Sequence, residues 1–267
     1  MPFRLTPTLR EALARADRPL AGMWVCSGSP LVAEICAGAG LDWILIDMEH
    51  SPNGVESVLA QLQAAAASPV TTVVRVPTAD PVVIKQVLDL GAQTILVPMV
   101  SSVAEAEAAV RAVRYPPRGI RGVGSALARS ARWNRVDDYL ADAEQHVSLI
   151  VQIETGAGVE AAAGIAAVEG VDGVFVGPSD LAASMGLLGQ QTHPDVVAAV
   201  RRVFAVARSA GTAVGVNAFD PAVARDYAAA GADFLLVGAD VALLARGSEA
   251  LAASWVPEAD RTARAGY

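Results

Sequence analysis

Two carboxylates, Glu154 and Asp180, sit where the chemistry of a hard divalent cation would need them. They lie in the stretch VSLIVQIETGAGVEAAAGIAAVEGVDGVFVGPSD, residues 147–180. Two apolar runs, 148–153 and 173–176, flank an Ala-rich segment of helical composition, and each run leads into a carboxylate. Two parallel strands joined by a helix bring both acids to the same sheet edge. Mg²⁺ and similar ions take oxygen ligands, often only one or two protein carboxylates completed by water and substrate. The alternative is a solvated loop acid at Glu154 and an N-cap at Asp180.

Other reactive types cluster at comparable positions. The run 43–47 passes into Asp47-Met48-Glu49-His50, and His50 has acids three residues before it and directly before it. A histidine so placed can act as an acid–base near neutral pH. Arg75 closes the apolar TTVVR, so its guanidinium must meet an anion: a substrate carboxylate, a developing enolate oxygen, or a structural partner in Asp47 or Glu49. Gln152, Ser179 and Asn217 also fall at run ends. His146 and His193 lie outside the runs and read as surface residues.

Two rival chemistries are weaker. Gly156-Ala157-Gly158-Val159-Glu160-Ala161 has the spacing of a dinucleotide-binding turn, but Glu154 would repel the pyrophosphate, and the acid Asp172 precedes a strand instead of following one. No nucleotide cofactor is therefore expected. A Schiff-base mechanism needs a lysine inside the site. Lys85, the only lysine, falls mid-helix in PVVIKQVLDL.

The elements that must carry these side chains repeat. Apolar runs at 22–25, 43–47, 71–76, 94–97, 148–153, 173–176, 212–216 and 234–237 alternate with helical patterns, after an amphipathic start with Leu9, Leu13 and Ala14. Near-continuous apolar strands are those of a parallel sheet covered on both faces. Eight such units predict an α/β protein, a single-domain (β/α)8 barrel spanning residues 1–267 with its core at about 20–252, whose active site lies at the C-terminal strand ends. Gly40, Gly91, Gly170 and Gly231 recur just before strands and are expected to close helices in the left-handed conformation. The segment 114–140, rich in arginine, is the one long irregular stretch, either a functional or subunit-contacting loop or a surface excursion.

Composition narrows the function. With 53% apolar residues and a net charge of −8 the chain has core material and no basic patch for nucleic acid or an anionic membrane. It shows no signal-peptide or membrane-spanning run, which predicts a cytoplasmic protein. Cys26 and Cys36 form no metal or disulfide spacing and are expected to pack in the core.

The blocks DMEHSPN, RYPPRGIRGVGSALARSARWNR, VQIET and VGPSDLAASMG, with Arg75, resemble the HpcH/HpaI aldolase family, of the 4-hydroxy-2-oxoheptane-1,7-dioate aldolase type associated with aromatic catabolism. The similarity runs from about residue 22 to about residue 252. It implies a class II pyruvate aldolase, a carbon–carbon lyase that uses Mg²⁺, Mn²⁺ or Co²⁺ and cleaves a 4-hydroxy-2-oxo acid reversibly through a metal-bound pyruvate enolate. It further implies a homohexamer, a dimer of trimers, with the last helix swapped between subunits. By position, Glu154 and Asp180 match the metal ligands, His50 the catalytic histidine, and Arg75 the contact to the pyruvyl C2 oxygen. Asp89 matches the aspartate that supports the histidine of an adjacent subunit. Gln152 matches a residue lining the pyruvate site, and the Ser179 and Asp180 amides match those that receive its carboxylate.

Met48 and Asn217 depart from the family pattern, which has a small and an aliphatic residue there. Both are expected on the aldehyde side, which predicts a smaller or more polar hydroxylated aldehyde as partner substrate. The alternatives are a lyase acting on a CoA thioester, like citrate-lyase relatives, and a non-catalytic barrel that binds an acidic metabolite.

Overall fold

The apolar runs close on one another. In the computed structural model, which describes residues 5–257, eight parallel strands pair in sequence order and the eighth pairs with the first. They are β1 (Leu20–Val25), β2 (Trp43–Asp47), β3 (Thr71–Arg75), β4 (Thr94–Val97), β5 (Ser148–Ile153), β6 (Gly173–Val176), β7 (Ala213–Asn217) and β8 (Phe234–Ala239). Helix α1 (Leu9–Arg15) precedes the barrel. Then α2 (Pro30–Ala37), α3 (Val55–Ala65), α4 (Pro81–Asp89), α5 (Val103–Val113) and α6 (Gly156–Ala166) follow the first five strands in turn. Both α7 (Pro178–Ser184) and α8 (Pro194–Ala210) lie between β6 and β7, and α9 (Pro221–Ala230) and α10 (Asp240–Trp255) follow the last two strands. This is the expected (β/α)8 barrel.

Local chemistry sets the helix starts. Ser29, Asp80, Ser102, Thr155 and Asp220 each accept a hydrogen bond from a first-turn amide, and proline opens α2, α4, α7, α8 and α9, where its missing N–H costs nothing. Gly40, Gly91, Gly170 and Gly231 have φ of 88°, 93°, 104° and 105°, the left-handed region that a Cβ disfavours.

Period-two alternation divides the strands between two cores. One set faces the helices: Ile44, Ile46, Val74, Val151, Val174, Val214 and their helical partners. The other fills the barrel: Trp43, Leu45, Val73, Leu96, Ile150, Phe175, Phe234 and Leu236, with Leu9 of α1 plugging the N-terminal end. Large rings inside need small neighbours. A Cβ on Gly22 would lie 2.5 Å from the Trp43 ring, and one on Gly215 would lie 2.4 Å from Phe234.

Two parts lie outside this scheme. Between α5 and β5 the chain makes turns and one 3₁₀ turn, Arg129–Ala131, over a small cluster of Ala131, Val136, Tyr139 and Ala143. It leaves Ile120, Val123, Leu127, Trp133 and Leu140 exposed. Along α10 only Asp240 is buried, while Leu243, Leu244, Leu251 and Trp255 face outward. Cys36 packs in the outer core and Cys26, half-buried, against the inner one. No described helix is long and apolar enough to cross a membrane.

The Gly215–Phe234 contact yields a test. Gly215→Ala should destabilise the fold by about 1–3 kcal/mol through overpacking, read as a lowered urea midpoint with an unchanged slope.

Candidate active site at the C-terminal mouth of the barrel

The inward register of β2 and β3 ends on a charge pair. Arg75 and Asp47 are adjacent in the ladder, and Nε and Nη2 of Arg75 donate to the two Asp47 carboxylate oxygens at 2.7 and 2.9 Å. Both are almost wholly buried, at 5% and 1% exposure, so the pair is desolvated and bidentate. Glu49 brings a second carboxylate to 2.8 Å from Arg75 Nη1, out of line for a hydrogen bond. The Trp24 ring lies against the guanidinium face, 4.3 Å from centroid to Cζ. Asn217 accepts a hydrogen bond from Trp24 Nε1 at 2.8 Å.

The DMEHSPN turn is built around the same aspartate. Its carboxylate accepts the amides of Glu49 and His50 at 3.0 and 3.2 Å. Its carbonyl accepts Ser51 Oγ and Asn53 Nδ2, and Asn53 Oδ1 in turn accepts from Ser57 and Gln61. The outcome is an exposed His50 with Nε2 3.9 Å from Glu49 Oε2.

Across the mouth, Glu154 is 2% exposed. Its partners are neutral: the Met99 amide donates to Oε1 at 2.8 Å, and Gln152 Nε2 donates to Oε2. Met99 adopts φ of 59°, a strained conformation for a residue with a long side chain. That conformation aims its amide at Glu154. Burial pushes the Glu154 carboxyl up to about 7, with Glu49 and Asp180 adding repulsion and the two hydrogen bonds opposing it. Glu49 is raised too, chiefly by burial, with Asp47 and Asp180 contributing and Arg75 and His50 opposing. Gly177 leaves room for this cluster, since a Cβ there would come within 2.8 Å of Glu154 Oε2.

Asp180 is exposed in the first turn of α7, whose N-cap is Gly177 and whose first residue is Pro178. The helix thus starts before Asp180, which is not its cap. Three carboxylates that repel one another, one buried without a cationic partner, are an unfavourable set unless a cation joins them. Oxygen-only donors fit a hard divalent ion. Among the described residues no three His, Cys, Asp or Glu side chains converge on one metal-sized space, so such an ion would complete its shell from water or substrate.

Residues 20–247 match the HpcH/HpaI aldolase/citrate lyase family. The chain belongs to that family. It is 54% identical to the hydroxypyruvate/pyruvate aldolase of Deinococcus radiodurans, covering 95% of this chain and 92% of that one. It is 51% identical to a 4-hydroxy-2-oxo-heptane-1,7-dioate aldolase of Salmonella dublin, covering 96% and 97%. A crystal structure of an HpcH/HpaI aldolase/citrate lyase family protein from Burkholderia cenocepacia superposes with a TM-score of 0.88 at 44% identity, covering 92% and 98%. The protein is an aldolase, a carbon–carbon lyase acting on small molecules, and the non-catalytic alternative falls away.

The mouth gathers His50, Arg75, Gln152, Glu154, Ser179, Asp180 and Asn217, from strand ends, the turns after them and the first turn of α7. Met48 lies elsewhere, and Asp89, expected to serve an adjacent subunit, lies away from this mouth. Met48, expected on the aldehyde side, packs in the outer core between strands and helices, because it follows Asp47 and takes the opposite face. Asp89 ends α4, at the N-terminal end of the barrel, where Arg121 Nη2 donates to it at 2.9 Å. Asp47 is one of the two arginine partners that the sequence offers. Two further groups at the mouth have no assignment in the sequence: Trp24 lies in the first apolar run with nothing to single it out, and the Met99 amide has no sequence signal at all.

The Glu154 environment sets a pH dependence for metal-free protein. Its carboxyl is raised in the fold, so its protonated form stabilises the folded state below about pH 4.5, and that stability is lost as pH rises through about 7. Between those limits wild type should lose on the order of 2–3 kcal/mol relative to Glu154→Gln, measured by denaturant unfolding in chelator at a series of pH values. Parallel curves for the two proteins would contradict the assigned burial.

Proposed function

We propose that this aldolase is divalent-metal-dependent and interconverts a 4-hydroxy-2-oxo acid with pyruvate and a hydroxylated aldehyde. The observation that carries the reading is Glu154, a carboxylate buried at the mouth with only neutral partners and two other carboxylates nearby. Glu154 and Asp180 would hold the ion, which when bound supplies Lewis acidity toward the 2-oxo acid carbonyl.

The chain's own residues account for the rest. Arg75 is fixed by Asp47 and presents a permanent cation to the oxygen that gains charge as the C3–C4 bond breaks and the enolate forms. Its Asp47 partner keeps the buried guanidinium neutralised without occupying every N–H. His50, exposed at the mouth beside Glu49, takes the proton of the 4-hydroxyl during cleavage and returns it in synthesis. Gln152 lines the acid's site and orients Glu154, while the amides of Ser179 and Asp180 receive the carboxylate.

Two relatives at 51–54% identity, both named for free 2-oxo acids, support a free-acid substrate over the thioester alternative. Asn217 supports a polar aldehyde. An indole N–H only donates, so Asn217 must turn Oδ1 to Trp24, leaving Nδ2 as a donor at the inward end of β7. Two features of the fold support an oligomer. The apolar face of α10 is uncovered, as a helix exchanged with another subunit would leave it in a single chain. Asp89, at the far end of the barrel, could assist a histidine only in a neighbouring subunit, as in a dimer of trimers.

The decisive test is pyruvate release from a racemic 4-hydroxy-2-oxo acid. Chelation should reduce it at least about 100-fold, and Mg²⁺, Mn²⁺ or Co²⁺ should restore it. Release that persists after complete metal removal would refute the roles of Glu154 and Asp180. The subunit arrangement has its own test: His50→Ala and Asp89→Asn should each be nearly inactive, and co-refolding them should recover a fraction of the activity. No recovery would place Asp89 outside the neighbouring site.

A further inference from the structure

The sequence gives Arg75 an anion to meet but no reason for its orientation. Its two bonds to Asp47 lie along one edge of the guanidinium and so define a line about which the plane can rock. Glu49, at 2.8 Å but out of hydrogen-bond alignment, restrains that rocking weakly. The surface that stops it is the Trp24 ring, against the guanidinium face.

Trp24 is itself held on two further sides. Its ring meets Phe175 edge to face at 6.4 Å between centroids, and its only polar atom, Nε1, donates to Asn217 Oδ1 at 2.8 Å. Trp24 is 8% exposed, so an indole N–H without that acceptor would be left nearly dry. Four strands thus meet in one chain of contacts: β7 holds β1's indole, the indole carries β3's guanidinium, and β2's carboxylate fixes its edge. An aliphatic side chain at 217 could fill the same volume but could not hold the N–H.

We propose that Asn217 is a positioning residue, setting the plane of Arg75 through Trp24 before any aldehyde is present. The proposal rests on Arg75 facing the developing enolate oxygen. It differs from an aldehyde contact because it acts on the pyruvate half-reaction alone.

The experiment is deuterium exchange of the pyruvate methyl protons in D₂O, followed by NMR with the metal-loaded enzyme and no aldehyde. Asn217→Leu should slow maximal exchange about three- to ten-fold, with the KM for pyruvate within about twofold, as for an interaction felt mainly in the transition state. Trp24→Phe keeps a ring but removes the N–H. In that background Asn217→Leu should cost less than about 1.5-fold more. Wild-type exchange by Asn217→Leu, or an undiminished loss in the Trp24→Phe background, would overturn the proposal. If Trp24→Phe does not fold, Asn217→Gln keeps an acceptor. Recovery to at least about half the wild-type rate supports the relay, and a loss equal to that of Leu overturns it. Arg75→Ala separates the two levels. Wild-type exchange without Arg75 would remove the underlying role and the proposal together, whereas lost exchange with an unaffected Asn217→Leu would remove only the relay.

Discussion

A guanidinium buried at the mouth of a barrel has to be neutralised where it stands, and the surrounding structure follows from that need. Arg75 is committed by its register on β3, and Asp47 is its ladder partner on β2. Removing either partner would strand a desolvated charge, at a cost of about 3–5 kcal/mol. The same aspartate then gathers the turn after β2, taking two amides on its carboxylate and two side-chain donors on its carbonyl. One ion pair therefore fixes the cation and shapes the turn that presents His50 and Glu49.

Across the mouth the balance is reversed. Burial raises the proton affinity of Glu154, with Glu49 and Asp180 adding to the shift, and the hydrogen-bond partners of Glu154 are an amide and a carboxamide. The mouth thus carries a paired cation at Arg75 and a buried carboxylate at Glu154 held by neutral donors. On the proposed reading, the carboxylates would hold a hard cation and Arg75 would face developing negative charge. Arg75 ends β3 and Glu154 follows β5, so different strands of one barrel set them, packed from within by Trp43, Phe175 and Phe234.

Family membership and the barrel agree on where chemistry occurs, and further features lie around it. Asn217 places an amide where it serves Trp24. The apolar α10 and the loop bearing Leu127 and Trp133 leave surface that a single chain does not cover. The uncovered surfaces bear on assembly, whereas Asn217 reaches the arginine of the site through Trp24.

The sequence by itself determined the barrel, because eight apolar runs with helix-closing glycines leave few other ways to bury both faces of a parallel sheet. It also placed Glu154, Asp180, His50 and Arg75 at strand ends, since period and run length are local properties of the chain. Strand limits shifted by a residue or two: β3 ends at Arg75 and β1 starts at Leu20. The tertiary structure showed that the strand alternation runs on past β2, so that Met48 faces the outer core where Asp47 faces inward. Tertiary structure likewise gave Glu154 the strained Met99 amide and joined Trp24 to Arg75 and Asn217. Those contacts link strands far apart in sequence, and barrel closure, which no local pattern encodes, sets their distances.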